Sequence, residues 1–256
     1  MIGRWLAALA VTTFAATMLL LPPIRQPQSY HDFADQRRLV PAIPHTLNVV
    51  SNAGFLIAAM AGFAVCSRGR FRKPHERTAA IAFFIGILLT AIGSTIYHLN
   101  PSDATLPYDR AGMTVGFMAF LAMLIHERMD AGSWLLPASL AVGLGSIAWW
   151  VRFGDLRPYG WVQFFPIVAL IVLIAFAAPA YPREKTALSI VFASYGAAKV
   201  FELADRPIYE LTQHVISGHT LKHLAAAVAP LAIASWIATS HRPVDSLEPR
   251  PDHAAG

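Results

Sequence analysis

A helix needs about 20 largely apolar residues to cross the hydrocarbon core of a bilayer, and eight runs in this chain approach or meet that length. They are Trp5–Leu21, Leu47–Cys66, Ala79–Tyr97, Ala111–Ile125, Trp134–Val151, Val162–Tyr181, Ala187–Leu203 and Leu221–Thr239. Turn-forming punctuation separates them: Pro22-Pro23, Arg68-Gly69-Arg70, Asn100-Pro101, Asp130-Ala131-Gly132, Arg157-Pro158-Tyr159-Gly160, Pro182-Arg183 and Arg206-Pro207. Charged residues make up only 14% of the chain and hydrophobic ones 55%. A soluble domain carries about 25% charged residues, and disordered chains are rich in charge and poor in apolar side chains, so both classes are excluded. The expected fold is all-α: a polytopic membrane bundle of seven helices preceded by one extra N-terminal helix. This divides the chain into an anchor (1–24), an extramembrane loop (25–46), the membrane domain (47–240) and a polar tail (241–256). The single cysteine, Cys66, excludes a disulfide framework and a Cys-based zinc site. The net charge of +5 comes with no basic stripe interleaved with aromatics, so no nucleic-acid partner is expected.

Arg4 followed by an apolar run resembles a signal peptide, but the run is long and lacks a small-x-small cleavage site; an uncleaved anchor helix is expected. Eleven Lys and Arg residues fall on the side shared with Arg4 and eight on the other, a bias set by the loop Arg68 to Arg77. Both termini are therefore expected on the cytoplasmic side.

Ionisable residues in or beside spanning segments are costly and mark functional sites by default. Ser94 and His98 lie four apart at the end of the third segment, and Asp109 opens the fourth. His219 and His223, again four apart, enter the eighth. Residues at i and i+4 share a helix face. The third segment ends where the fourth begins, and an even number of further crossings returns the eighth to the same side. All five residues are thus expected at one depth, near the non-cytoplasmic face.

A lone histidine at a helix end reads as an interfacial residue bonded to a backbone carbonyl. The combination reads differently. Three neutral imidazoles with one open position are the ligand set of a catalytic zinc, here His98, His219 and His223. Zinc acidifies a water and polarises a carbonyl; Asp109 then serves as general base, and Ser94 can donate to a forming oxyanion.

The pattern Ser94-x3-His98, Asp109 and His219-x3-His223 resembles the alkaline ceramidases, members of the larger CREST group of seven-helix membrane hydrolases that also contains the progestin and adipoQ receptors. The eleven-residue step from His98 to Asp109 suits the ceramidase branch, and Asn48-Val49-Val50-Ser51-Asn52 is similar to the family's N-x-x-S-N. Coverage runs from about Asp32 to Thr239. The resemblance implies hydrolysis of an amide in a membrane lipid such as a ceramide, with zinc on the three histidines. The family's acidic calcium-binding stretch corresponds here to His31–Arg38, which keeps Asp32 and Asp35 but has Arg37 and His45 where the family has Asn and Glu. Calcium takes six to eight oxygen ligands, so it is not expected; Asp32 or Asp35 is expected to pair with Arg37, Arg38 or Arg206.

Two other classes compete. One is a seven-helix receptor or binding protein with structural zinc, related to the progestin and adipoQ receptors. The other is a proton-coupled transporter, disfavoured because the cluster lies near one face and not at the midplane. Lys199 and Glu202 are expected to neutralise each other, with a head-group role as the alternative. Asp205-Arg206 and Asp155 with Arg157 are expected as loop ion pairs. His126 is expected away from the site, and His214 beside the metal ligands.

Overall fold

The computed structural model describes residues 2–129 and 131–240, and the expected polar tail lies outside the described residues. Helices account for most of them: α1 (Ile2–Leu20), α2 (Thr46–Ser51), α3 (Ala53–Arg68), α4 (Pro74–Leu99), α5 (Leu106–Met129), α6 (Leu135–Phe153), α7 (Arg157–Phe176), α8 (Glu184–Leu203), α9 (Asp205–Leu211) and α10 (Gly218–Ser240). Counting α2 and α3 together as Thr46–Arg68, eight spans are long and apolar enough to cross a membrane. The architecture is an all-α bundle of the multi-pass membrane type.

Helix α5 is the axis of the bundle. In its most apolar stretch 72% of residues are buried, against 6% in α1, which lies outside against α7. Glycines let α4 reach α5 closely. A Cβ on Gly93 would stand 2.1 Å from the Tyr108 carbonyl oxygen, and one on Gly112 would stand 2.3 Å from the Thr90 nitrogen. Small residues at such crossings allow backbones to approach in membrane bundles, and here they set the end of α4 against the start of α5. Below that crossing, Phe83 and Phe84 of α4 pack with Phe120, Leu121 and Leu124 of α5 in the main apolar core.

Helix α1 is held by polar contacts as well as by packing. Trp161 donates to Thr13 Oγ1 at 2.9 Å, and Arg157 Nη1 donates to the carbonyls of Met18 and Leu21, which close α1. Arg157 is itself fixed by Asp155, the ion pair expected from sequence, at 2.8 Å.

Two stretches of expected loop are helical instead. Arg157-Pro158-Tyr159-Gly160 forms the first turn of α7, and Arg206-Pro207 lies in the first turn of α9. Proline is tolerated there because the first N–H groups of a helix have no intrahelical partner. As a result α7 runs from Arg157 to Phe176, five residues earlier at each end than its apolar run.

Helix α8 packs along α10 and touches α9, whereas α7 leans on α1, α5 and α6. Between these two groups the bundle is not filled, and the space left there leads to the site.

Candidate metal centre

The three histidines come from two helix ends. Ser217 precedes α10 as its N-cap, its Oγ accepting the Thr220 N–H at 3.2 Å. Asp205 Oδ1 accepts the His219 N–H at 2.7 Å, so two side chains satisfy the exposed donors of this terminus. That fixes His219 in the first turn and His223 one turn on, both buried. His98 stands in the last turn of α4, also buried.

One ligand atom from each of His98, His219 and His223 lies within 4.8 Å of the others. The Nε2 atoms of His98 and His219 face each other at 3.2 Å. A tetrahedral ion with nitrogens at about 2.0–2.1 Å sets neighbouring nitrogens roughly 3.3 Å apart, so this spacing suits one. The Nδ1 of His223 lies 2.8 Å from Ser51 Oγ and 3.2 Å from the Asn48 carbonyl oxygen. A carbonyl only accepts, so Nδ1 carries the hydrogen and Nε2 keeps its lone pair, the arrangement usual for an imidazole ligand. Among the described residues, Nδ1 of His98 is buried without a hydrogen-bond partner. The donor set fits a divalent ion such as zinc.

Phe33 closes the group from the loop side. Its ring lies 4.7 Å from that of His98 and 4.5 Å from that of His219, and the residue is only 4% exposed. The strand of chain carrying it is tied down by the Ala34 N–H, which donates to the second oxygen of Asp205 at 2.9 Å. One carboxylate thus positions both a histidine and the residue covering it. His31 extends the tie, bridging the Tyr97 hydroxyl at 2.9 Å and Asp103 at 3.0 Å.

Ser94 and Asp109 are buried on the facing helices that Gly93 brings together, and the serine hydroxyl adjoins the aspartate carboxylate. Both line a cavity with His223. Its walls run from Ser94 to Phe83 on α4, Asp109 to Phe120 on α5, Glu202 to Val191 on α8 and Lys222 to Ile233 on α10, the ends of each stretch eleven positions apart. Three helical turns make it about 16 Å deep, roughly half the hydrocarbon core. All its polar groups but Thr90 and Tyr195 gather at one end; the rest of the lining is aliphatic or aromatic.

The polar end also holds charge. Lys199 Nζ lies 2.7 Å from one oxygen of Glu202, as expected from their spacing. Lys222 Nζ lies 2.7 Å from the other oxygen. Lys222, one of the eight basic residues counted on the non-cytoplasmic side from sequence, lies within α10 and lines the cavity.

The stretch His31–Arg38 has its carboxylates engaged by arginines. Asp35 is buried and meets Arg37 at 2.7 Å; Asp32 meets Arg206 at 3.6 Å. Burial pushes the Asp35 carboxyl up, but the Arg37 hydrogen bonds and charge outweigh it and hold it below the ordinary range. This donor set does not suit calcium, which would have to displace a guanidinium from each carboxylate it used.

His214 is a correction. It is exposed, has a left-handed φ of 65°, and meets the Tyr209 ring edge-on with centroids 4.8 Å apart. The turn after α9 reverses its direction, which a count of five residues to His219 cannot reveal. Asp205, expected as a partner of Arg206, instead receives two backbone N–H groups, while Arg206 turns to Asp32. His126 sits at the opposite end of α5, buried, with Nδ1 at 2.9 Å from the Ala131 carbonyl. Sequence reasoning assigned no role to Phe33, Asn48 or Ser51. The polar Asn48 and Ser51, three apart in an apolar run, were the available signal; a lone phenylalanine offers none.

Neither the protein-family models nor the curated proteins contain a match to this chain.

Proposed function

We propose that the chain is an integral membrane, zinc-dependent hydrolase that cleaves an amide bond in a lipid, in the manner of a ceramidase, with its active site near the non-cytoplasmic face. One observation carries this reading: three buried imidazoles converge, and one of them, His223, lines the polar end of a deep apolar cavity together with Ser94 and Asp109. Apolar walls three helical turns long suit an acyl chain laid along them. A substrate already dissolved in the bilayer reaches such a space between α7 and α8 without exposing its tail to water.

His98, His219 and His223 would hold the ion. When bound, zinc supplies Lewis acidity toward a carbonyl and lowers the pKa of a water ligand to about 7. Asp109 takes the proton of the attacking water and returns it to the amine nitrogen as the C–N bond breaks. Ser94 donates to the carbonyl oxygen as it gains charge. Ser51 and the Asn48 carbonyl keep His223 in the tautomer that leaves Nε2 free, and Phe33 excludes bulk water from the loop side. The products are a fatty acid and an amine.

The test is purified protein assayed for zinc and for fatty-acid release from a panel of N-acyl lipids. About one zinc per chain together with release from at least one amide supports the proposal. Zinc without turnover on any amide or ester lipid favours the receptor-like alternative, and protein without metal overturns both.

A further inference from the structure

The Lys199–Glu202–Lys222 group has one carboxylate between two ammonium groups, each at 2.7 Å from its own oxygen. A pair would complete a charge-neutral packing contact between α8 and α10. The second lysine does not belong to such a pair, and it needs a further anion, because an unmatched cation inside a membrane bundle is costly. Each ammonium has three donors, and among the described residues each makes only its one hydrogen bond, to Glu202. All three side chains line the cavity, at the same end as Ser94, Asp109 and His223. Asp109 acts on Lys222 as a nearby negative charge, so the four charged groups together are neutral. A divalent ion on the three imidazoles then makes this end net positive by two charges.

We infer that Lys199 and Lys222 form a subsite for a carboxylate, so that the lipid taken by this cavity carries an anionic group beside its amide, as an N-acyl amino acid does. This rests on the reading of the cavity as a lipid-amide site. The tail lies along the apolar walls, the amide sits by Ser94 and Asp109, and the carboxylate on the amine portion meets the lysines that Glu202 holds in place. The same chemistry could be met by the carboxylate of the released fatty acid. The two sources differ in which side of the amide bears the charge. Glu202 is a positioning residue: it holds both ammonium groups at the cavity wall and touches neither the amide nor the ion.

The experiment measures binding and needs no turnover. Full-length protein in detergent micelles is titrated with N-oleoylglycine and N-oleoylethanolamine, which share a tail and an amide and differ in the carboxylate, and with oleate and oleyl alcohol. N-oleoylglycine is expected to bind about tenfold tighter than N-oleoylethanolamine, the scale of one charge-assisted contact. In Lys222→Met and Lys199→Met that ratio is expected to fall toward one, and Lys222→Arg is expected to restore most of it. Metal content measured on the same samples shows whether a variant has disturbed the neighbouring histidines. Should a methionine variant fail to fold, Lys199→Gln and Lys222→Gln, which keep a hydrogen-bond donor toward Glu202 but no charge, give a second test, and the ratio is again expected to fall toward one.

A preference for oleate over oleyl alcohol, without one among the amides, assigns the carboxylate to the released acid and overturns the substrate inference. Equal binding of acidic and neutral lipids, or a ratio untouched in both methionine variants, overturns the subsite altogether. Preference without amide cleavage leaves the subsite standing and removes the hydrolase reading. Cleavage without preference does the reverse.

Discussion

Both ends of the bundle bury charged and imidazole side chains, but they use them differently. At the end away from the histidine triad, Arg128 meets Glu184 at 2.6 Å and donates to the carbonyls of Leu173 and Ala177 at the close of α7. Glu76 accepts from Tyr181 at 2.7 Å, and His126 turns to a backbone oxygen. These groups join α4, α5, α7 and α8 by directing polar atoms at one another and at the backbone. At the triad end, ring nitrogens face ring nitrogens, and the lysines of the cavity wall keep donors to offer. Burial of charge alone therefore does not mark a site. What marks it is lone pairs and donors that converge on space.

That contrast can be broken most severely at the imidazoles. His219→Ala or His223→Ala is expected to remove the metal and, with it, all measurable turnover, as elemental analysis and a lipid assay on one sample would show. Retained metal in both variants would mean that the triad is not the ligand set. Asp109→Asn should separate the two properties: zinc stays, while turnover falls about 10³-fold, within the range for loss of a general base. At the opposite end the order reverses. Glu184→Gln leaves a buried guanidinium without its counter-charge and should cost about 3 kcal/mol of stability, read by thermal or denaturant unfolding in detergent, with metal content unaltered. A loss of metal there would erase the distinction between the ends.

The smallest effect concerns the ties of α1. The hydrogen bonds from Arg157 hold the Asp155 carboxyl down to about 2, against a small opposing effect of burial, from its ordinary 3.8. A carboxyl held low stabilises the fold above its ordinary value and loses that contribution as pH falls through the lowered one. Stability should therefore drop between about pH 4 and pH 2, by on the order of 1 kcal/mol after solvent screening. Asp155→Asn should flatten that part of the acid profile. An unchanged profile would detach the ion pair from the docking of α1.

Helical spacing accounts for what was readable in advance. Ser94 with His98 and His219 with His223 each share a helix face, so each pair could be foreseen, and the direction of successive spans brought the two faces to one end. Apolar runs located the helices, although not their ends, because Pro158 and Pro207 serve as first-turn residues as readily as they serve as breakers. Contacts across the fold were out of reach. Phe33 covers the imidazoles only because Asp205, far along the chain, holds its neighbour Ala34 by the backbone. Lys222 reaches Glu202 through the packing of α8 on α10, and nothing in the spacing of either helix reports the other. His214 was misplaced for the same reason: nearness in sequence fails across a reversing turn.

Zinc-edge X-ray absorption on the purified chain is the most direct test of the centre. The expected spectrum shows three imidazole nitrogens and one further light atom at about 2.0–2.1 Å. A spectrum without imidazole scattering, or a preparation that takes up no zinc, would contradict the assignment.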